Sequence, residues 1–162
     1  MNIPCTNPKP RLLVIDDEPG IGLAIFFLLQ DHYEVLTAET AQSGISLIDG
    51  TFSLILLDLR LPGVNGFDLL EKIHIMVPNT PVAILSAAGD RGTRNEALRH
   101  GAVAFIEKPF TRQELLDQIS DILRVGSRGQ DTSLANVETI RENPPEYRHT
   151  GLDSVVPRAV KA

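Results

Sequence analysis

The sequence predicts a single α/β domain, a parallel sheet with helices on both faces. Three observations predict it. Between Arg11 and Arg124, five short apolar runs alternate with five stretches of helical spacing. Strands that alternate with helices in this way form parallel sheets covered on both sides. The run Leu54-Ile55-Leu56-Leu57 is apolar throughout, ends in Asp58, and is followed by Leu61-Pro62-Gly63, the pattern of a buried strand ending in a loop.

The elements follow in order. Arg11–Ile15 is predicted as a strand because Leu12-Leu13-Val14-Ile15 is a continuous apolar run closed by Asp16-Asp17-Glu18. A helix is expected over Gly20–Gln30, and a second strand over Glu34–Ala38. Ala41–Ile48 is expected as a helix and Ser53–Asp58 as the third strand. Gly66–Met76 forms the third predicted helix, ended by Pro78, and Pro81 starts a fourth strand that runs to Ser86. Arg94–His100 is the fourth predicted helix. Gly101 suits its C-terminal cap, since glycine tolerates a left-handed backbone. Ala104–Ile106 is the fifth predicted strand, followed by Glu107-Lys108-Pro109. The last helix, Arg112–Arg124, has the clearest start. Thr111-Arg112-Gln113-Glu114 fits a capping box, and Leu115, Leu116, Ile119, Ile122 and Leu123 follow helical spacing.

Composition narrows the functional classes. The chain has 162 residues, 43% hydrophobic and 22% charged, which suits one soluble core with length to spare. No Trp is present, so aliphatic packing builds that core. The net charge of −6 argues against a direct nucleic-acid partner, which asks for a basic stripe, and against attraction to an anionic membrane. No run approaches the ~20 apolar residues needed to span a bilayer. The one cysteine, Cys5, cannot form an internal disulfide, which fits a reducing compartment. A cytoplasmic protein is expected. Residues 1–10 are expected to be a flexible lead, 11–126 the folded domain, and 127–162 a mostly disordered tail with too little apolar surface for a second core.

Three strand ends carry matching chemistry. A carboxylate at the C-terminal end of a parallel strand lies where open α/β sheets place their ligands. Asp16, Asp17 and Asp58 would crowd negative charge into one cleft, which a cation would relieve. Oxygen-only ligands select a hard cation, and Mg²⁺ commonly combines one or two carboxylates with phosphate. Lys108 would add positive charge for phosphoryl oxygens, and Ser86 a hydroxyl from the neighbouring strand. Asp58 could then act as a nucleophile and form an aspartyl phosphate.

These residues resemble the receiver domain of two-component response regulators. The resemblance is carried by Ile15-Asp16-Asp17-Glu18, Leu57-Asp58-Leu59-Arg60-Leu61-Pro62-Gly63, Asn65-Gly66-Phe67-Asp68-Leu69-Leu70, Leu85-Ser86-Ala87, Ala97 with Gly101-Ala102, and Phe105-Ile106-Glu107-Lys108-Pro109-Phe110. It covers about Arg11 to Val125. It implies a flavodoxin-like doubly wound sheet of order 2-1-3-4-5. It implies that Asp58 is the phosphoacceptor, served by the phosphohistidine of a sensor kinase or phosphotransfer protein. Mg²⁺ would be held by Asp17, Asp58 and the backbone carbonyl of Arg60, with Asp16 reaching it through water. Lys108 would pair with Asp58 and then with phosphoryl oxygens. Ser86 and Phe105 would act as the switch pair, and the Lys108-Pro109 bond would be cis. Arg60 and Ala88 would flank the water path for dephosphorylation. The downstream target would be another protein, which the sequence does not name.

Two other readings use the same residues. A Mg²⁺-dependent phosphohydrolase of the Asp-x-Asp type needs an acid where Arg60 stands, and Arg60 cannot protonate a leaving group at neutral pH. An interaction module without phosphorylation would not need the full chemical set. Elsewhere the signals are weak. His32, His74, His100 and His149 lack metal-ligand spacing and suit structural or surface roles. Gly20, Gly22 and Gly44 make no phosphate-cradling fingerprint. Arg91, Arg94 and Arg99 read as a solvated helix face.

Overall fold

The structure is a computed structural model and describes residues 8–87 and 91–128. The elements in order are β1 (Arg11–Ile15), α1 (Pro19–Leu29), β2 (Glu34–Ala38), α2 (Ala41–Leu47), β3 (Leu54–Asp58), α3 (Gly66–Met76), β4 (Val82–Ala87), α4 (Arg91–Arg99), β5 (Ala104–Lys108) and α5 (Arg112–Arg128). All strands pair in parallel, in the order β2-β1-β3-β4-β5. The doubly wound α/β fold expected from the alternation is therefore the observed one.

Alternate residues of each strand feed two cores, as a two-residue side-chain period requires. Leu13, Ile15, Ile55, Leu57, Val82, Ile84 and Phe105 pack on one face with Leu69, Leu70 and Ile73 of α3 and Ala97 of α4. Leu12, Val14, Leu54, Leu56, Ala83, Leu85 and Ile106 pack on the other with Ile25 and Leu29 of α1 and Leu115 and Ile119 of α5. Every residue of β3 is buried. That explains why its apolar run shows no alternation in the sequence.

Several boundaries move by a few residues. α1 begins at Pro19 rather than Gly20, because proline at a first helical position sacrifices an N–H that would be unbonded anyway. α4 begins at Arg91 rather than Arg94; Gly92 and Thr93 are poor helix formers, and the sequence pattern starts only after them. β5 continues through Glu107 to Lys108. Two capping boxes set helix starts. Thr40 and Ser43 cap each other at α2. At α5 the Glu114 carboxylate accepts from Thr111 N–H at 2.7 Å while Glu114 N–H donates to the Thr111 hydroxyl at 3.3 Å.

At the end of the lead, Lys9 donates to the Gln30 carbonyl at 2.7 Å and the Pro10 carbonyl accepts from Glu34 N–H at 3.0 Å. The rest of the expected lead, and the expected tail from residue 129 on, lie outside the described residues. Among the described residues no helix is long and apolar enough to cross a membrane.

Candidate functional site

The strand ends converge because the register aligns them. Val14 pairs with Leu56, Asp58 with Leu85, and Leu85 with Ile106. Asp16, Asp58 and Lys108 each lie two residues beyond a member of the core that packs on α1 and α5. They therefore continue one row of side chains on one face of the sheet. Asp16 follows β1 directly, and its N–H still bonds the Ala38 carbonyl of β2 at 3.0 Å. Asp58 and Lys108 are the last residues of their strands.

Lys108 Nζ is the centre of the site. It donates to Asp16 Oδ2 at 2.5 Å and to Asp58 Oδ2 at 2.8 Å. All three residues are buried, at 9%, 2% and 5% exposure. Glu18 Oε1 stands 4.0 Å from the same ammonium, at the exposed rim. The second oxygens are also held. Asp16 Oδ1 accepts from Glu18 N–H at 3.0 Å, and Asp58 Oδ1 accepts from Arg60 N–H at 2.8 Å. Burial alone pulls the Lys108 ammonium toward its neutral form. The hydrogen bonds to Asp16 and Asp58 and the charges of both carboxylates outweigh it, so its pKa stands above the ordinary lysine value.

Asp17 completes the acidic group. One carboxylate oxygen from each of Asp16, Asp17 and Asp58 lies within 4.8 Å of the others. Three such oxygens with no nitrogen or sulfur donor fit a hard divalent cation. The donor set thus accepts Mg²⁺ on chemical grounds.

The loop after β3 is shaped by glycine. A Cβ on Gly66 would stand 2.4 Å from the Leu59 carbonyl oxygen, so only glycine lets α3 start this close to Asp58. Asn65 caps that helix by accepting from Phe67 N–H at 3.0 Å.

The remaining predicted residues take other places. Ser86 is buried and donates to the Ala87 carbonyl at 3.5 Å, with no bond to Asp58 or Lys108. It alternates with Leu85, so it belongs to the opposite face of the sheet. Phe105, opposite Ile84, is on that same face and 8% exposed. Arg60 is exposed, and its guanidinium reaches the Ala87 carbonyl at 3.5 Å. The Lys108–Pro109 peptide bond is cis. Ala88 lies outside the described residues. The Lys108–Asp16 bond was not legible in the sequence; the pair is 92 residues apart and no local pattern links them.

A family model described as the response regulator receiver domain matches residues 12–120. The chain belongs to this family. Receiver structures share its fold: a CheY-like response regulator receiver domain protein from Methanospirillum hungatei JF-1 superposes with a TM-score of 0.70 at 31% identity, covering 75% of this chain and 98% of that one. NtrX from Brucella abortus, in complex with ADP, gives 0.73 at 31% identity over 80% of this receiver chain and 31% of its own. In sequence the receiver is 30% identical to the transcriptional regulatory protein ResD of Bacillus subtilis over 147 residues, 90% of this chain and 60% of ResD. It is 37% identical to protein PetR of Rhodobacter capsulatus over 117 residues, 71% of this chain and 49% of PetR. The chain thus spans about half to three-fifths of the length of these curated relatives.

Proposed function

We propose that this receiver takes a phosphoryl group onto Asp58 from a phosphohistidine of a sensor kinase or phosphotransfer protein, with Mg²⁺ as cofactor. The observation that carries the reading is the cluster of buried Asp16, Asp58 and Lys108 with half-buried Asp17, in which one cation bonds two of three clustered acids. One oxygen of Asp58 attacks phosphorus, the phosphorus–nitrogen bond breaks, and the leaving imidazole keeps the electron pair. Asp17, Asp58 and the Arg60 carbonyl would hold the metal, with Asp16 acting through water. Bound there, Mg²⁺ would neutralise charge on the phosphoryl oxygens. Lys108 is already within reach of Asp58, so its ammonium can pass to a phosphoryl oxygen with a small shift of its long side chain.

Phosphorylation adds about −1.5 to −2 charges. Ser86 and Phe105 share the face next to α4, and a hydroxyl drawn toward that charge would vacate space beside Phe105. They are the proposed switch pair, and a further protein is the proposed downstream target. The absence of a direct nucleic-acid partner, expected from charge alone, finds no support among the relatives, since ResD is named a transcriptional regulatory protein. No observation favours the phosphohydrolase or the phosphorylation-independent module.

Incubation with acetyl phosphate and Mg²⁺, followed by intact-mass analysis, tests the reading. The wild type is expected to gain one base-labile phosphoryl group, lost with Asp58→Asn and with chelation of the metal. Unchanged labelling of Asp58→Asn, or none of the wild type with either acetyl phosphate or a phosphorylated kinase, would refute it.

A further inference from the structure

We propose that His100, bonded to Glu71 and stacked on Phe67, latches the C-terminal end of α4 to α3, and that α4 opens locally when the latch is released. This inference does not depend on phosphoryl chemistry at Asp58.

α4 buries little apolar surface of its own. Its sequence is Arg-Gly-Thr-Arg-Asn-Glu-Ala-Leu-Arg. Of its described side chains Ala97 alone is buried, and Leu98 is 45% exposed. One methyl group removes too little apolar area from water to secure a nine-residue helix. α3, by contrast, buries Leu69, Leu70 and Ile73.

A further attachment lies one residue past the helix. His100 Nδ1–H donates to Glu71 Oε1 at 2.7 Å. Its ring stacks on Phe67, with centroids 5.0 Å apart and planes at 30°. Gly101 follows at φ +93°, and a Cβ there would meet His74 Nε2 at 3.1 Å. Phe67, Glu71 and His74 are four and three residues apart, which places them on one face of α3. The chain leaving α4 is thus seated along that face.

What α4 covers gives the latch a consequence. Ala97 packs in the same core as Ile84, Ala102 and Phe105. Arg94 and Phe105 line a cleft of about 540 Å³ together with Glu107 and Lys108 of β5, Phe110 of the loop that follows, and Glu114 of α5. Release of His100 from Glu71 would therefore loosen one wall of that cleft. The latch is a mechanical link between the α3 surface and the α4–α5 cleft.

Native-state amide hydrogen exchange on the full chain tests it, with Glu71→Ala, His100→Ala and the double variant. Each single change is expected to speed exchange of the α4 amides by about three- to tenfold, the scale of one ordinary, partly exposed hydrogen bond. The double variant is expected to match the larger single effect. Amides of β3 and β4 are expected to keep their wild-type rates. Unchanged α4 rates in both single variants would overturn the proposal. So would an equal rise in α4 and β3, which reports general loss of stability, or a double variant whose effect is the product of the two singles.

Discussion

Each end of the sheet has one cation shared by two carboxylates. At the C-terminal end of the strands Lys108 bridges Asp16 and Asp58, all three buried. At the N-terminal end Arg11, the first residue of β1, pairs with Glu34 at 3.2 Å and Asp49 at 3.1 Å. It also donates to Thr51, and its guanidinium lies 4.6 Å from the Phe52 ring centre. There the side chains of Arg11, Glu34 and Asp49 are 27%, 56% and 51% exposed. The same pairing chemistry has different consequences in the two places. Exposed ions keep their water, so their attraction is weak and screened. Buried ions have lost that water and depend on one another, so removing one leaves the others uncompensated. The exposed network ties the starts of β1 and β2 to the loop before β3. The buried one fixes Asp16, Asp58 and Lys108 against one another at the mouth of the sheet.

The largest expected effect separates the ends most sharply. Lys108→Met should lower the free energy of unfolding by about 2–3 kcal/mol in metal-free buffer at neutral pH, somewhat less than the usual cost of breaking a buried pair because the site opens to water at its rim. Urea denaturation measures it. A variant as stable as the wild type would mean that the buried carboxylates do not need their cation.

Arg11→Met should cost about 1 kcal/mol or less, combining two exposed ion pairs and one cation–π contact. Part of that loss should vanish in high salt, where screening already weakens the wild-type pairs. A loss equal to that of Lys108→Met, or one insensitive to salt, would erase the distinction between the ends.

The smallest effect concerns acid. The hydroxyl and N–H of Thr51 hold the Asp49 carboxyl below its usual range, with Arg11 adding to the effect. A depressed carboxyl stabilises the fold above its unfolded value of about 3.9, and that stabilisation is lost as pH falls through the folded value. The difference in stability between wild type and Asp49→Asn should therefore be present at pH 6 and shrink below about pH 4. Urea curves across that range check it, and a difference independent of pH would show that the carboxylate charge plays no part.

Much of this was legible in the residues. The unbroken apolar run of β3 announced a strand buried on both faces, and the acids at Asp16, Asp17 and Asp58 stood where strands had to end. Thr111 and Glu114 marked the start of α5. The start of α4 was obscured by Gly92 and Thr93, whose weak helix preference is overridden in the folded chain. The Thr40–Ser43 capping box was missed because serine stands where Glu or Gln is the familiar third partner.

The sequence by itself determined which segments become strands, which become helices, and which polar residues sit at strand ends. Periodicity and capping act over a few residues and need no distant partner. Only the tertiary structure decided how those ends meet. It set Lys108 between Asp16 and Asp58, 92 and 50 residues away. It turned Ser86 and Phe105 to the opposite face of the sheet and seated His100 on α3. Strand order and register make those choices, because a side chain's face alternates with every residue while its neighbours come from other strands.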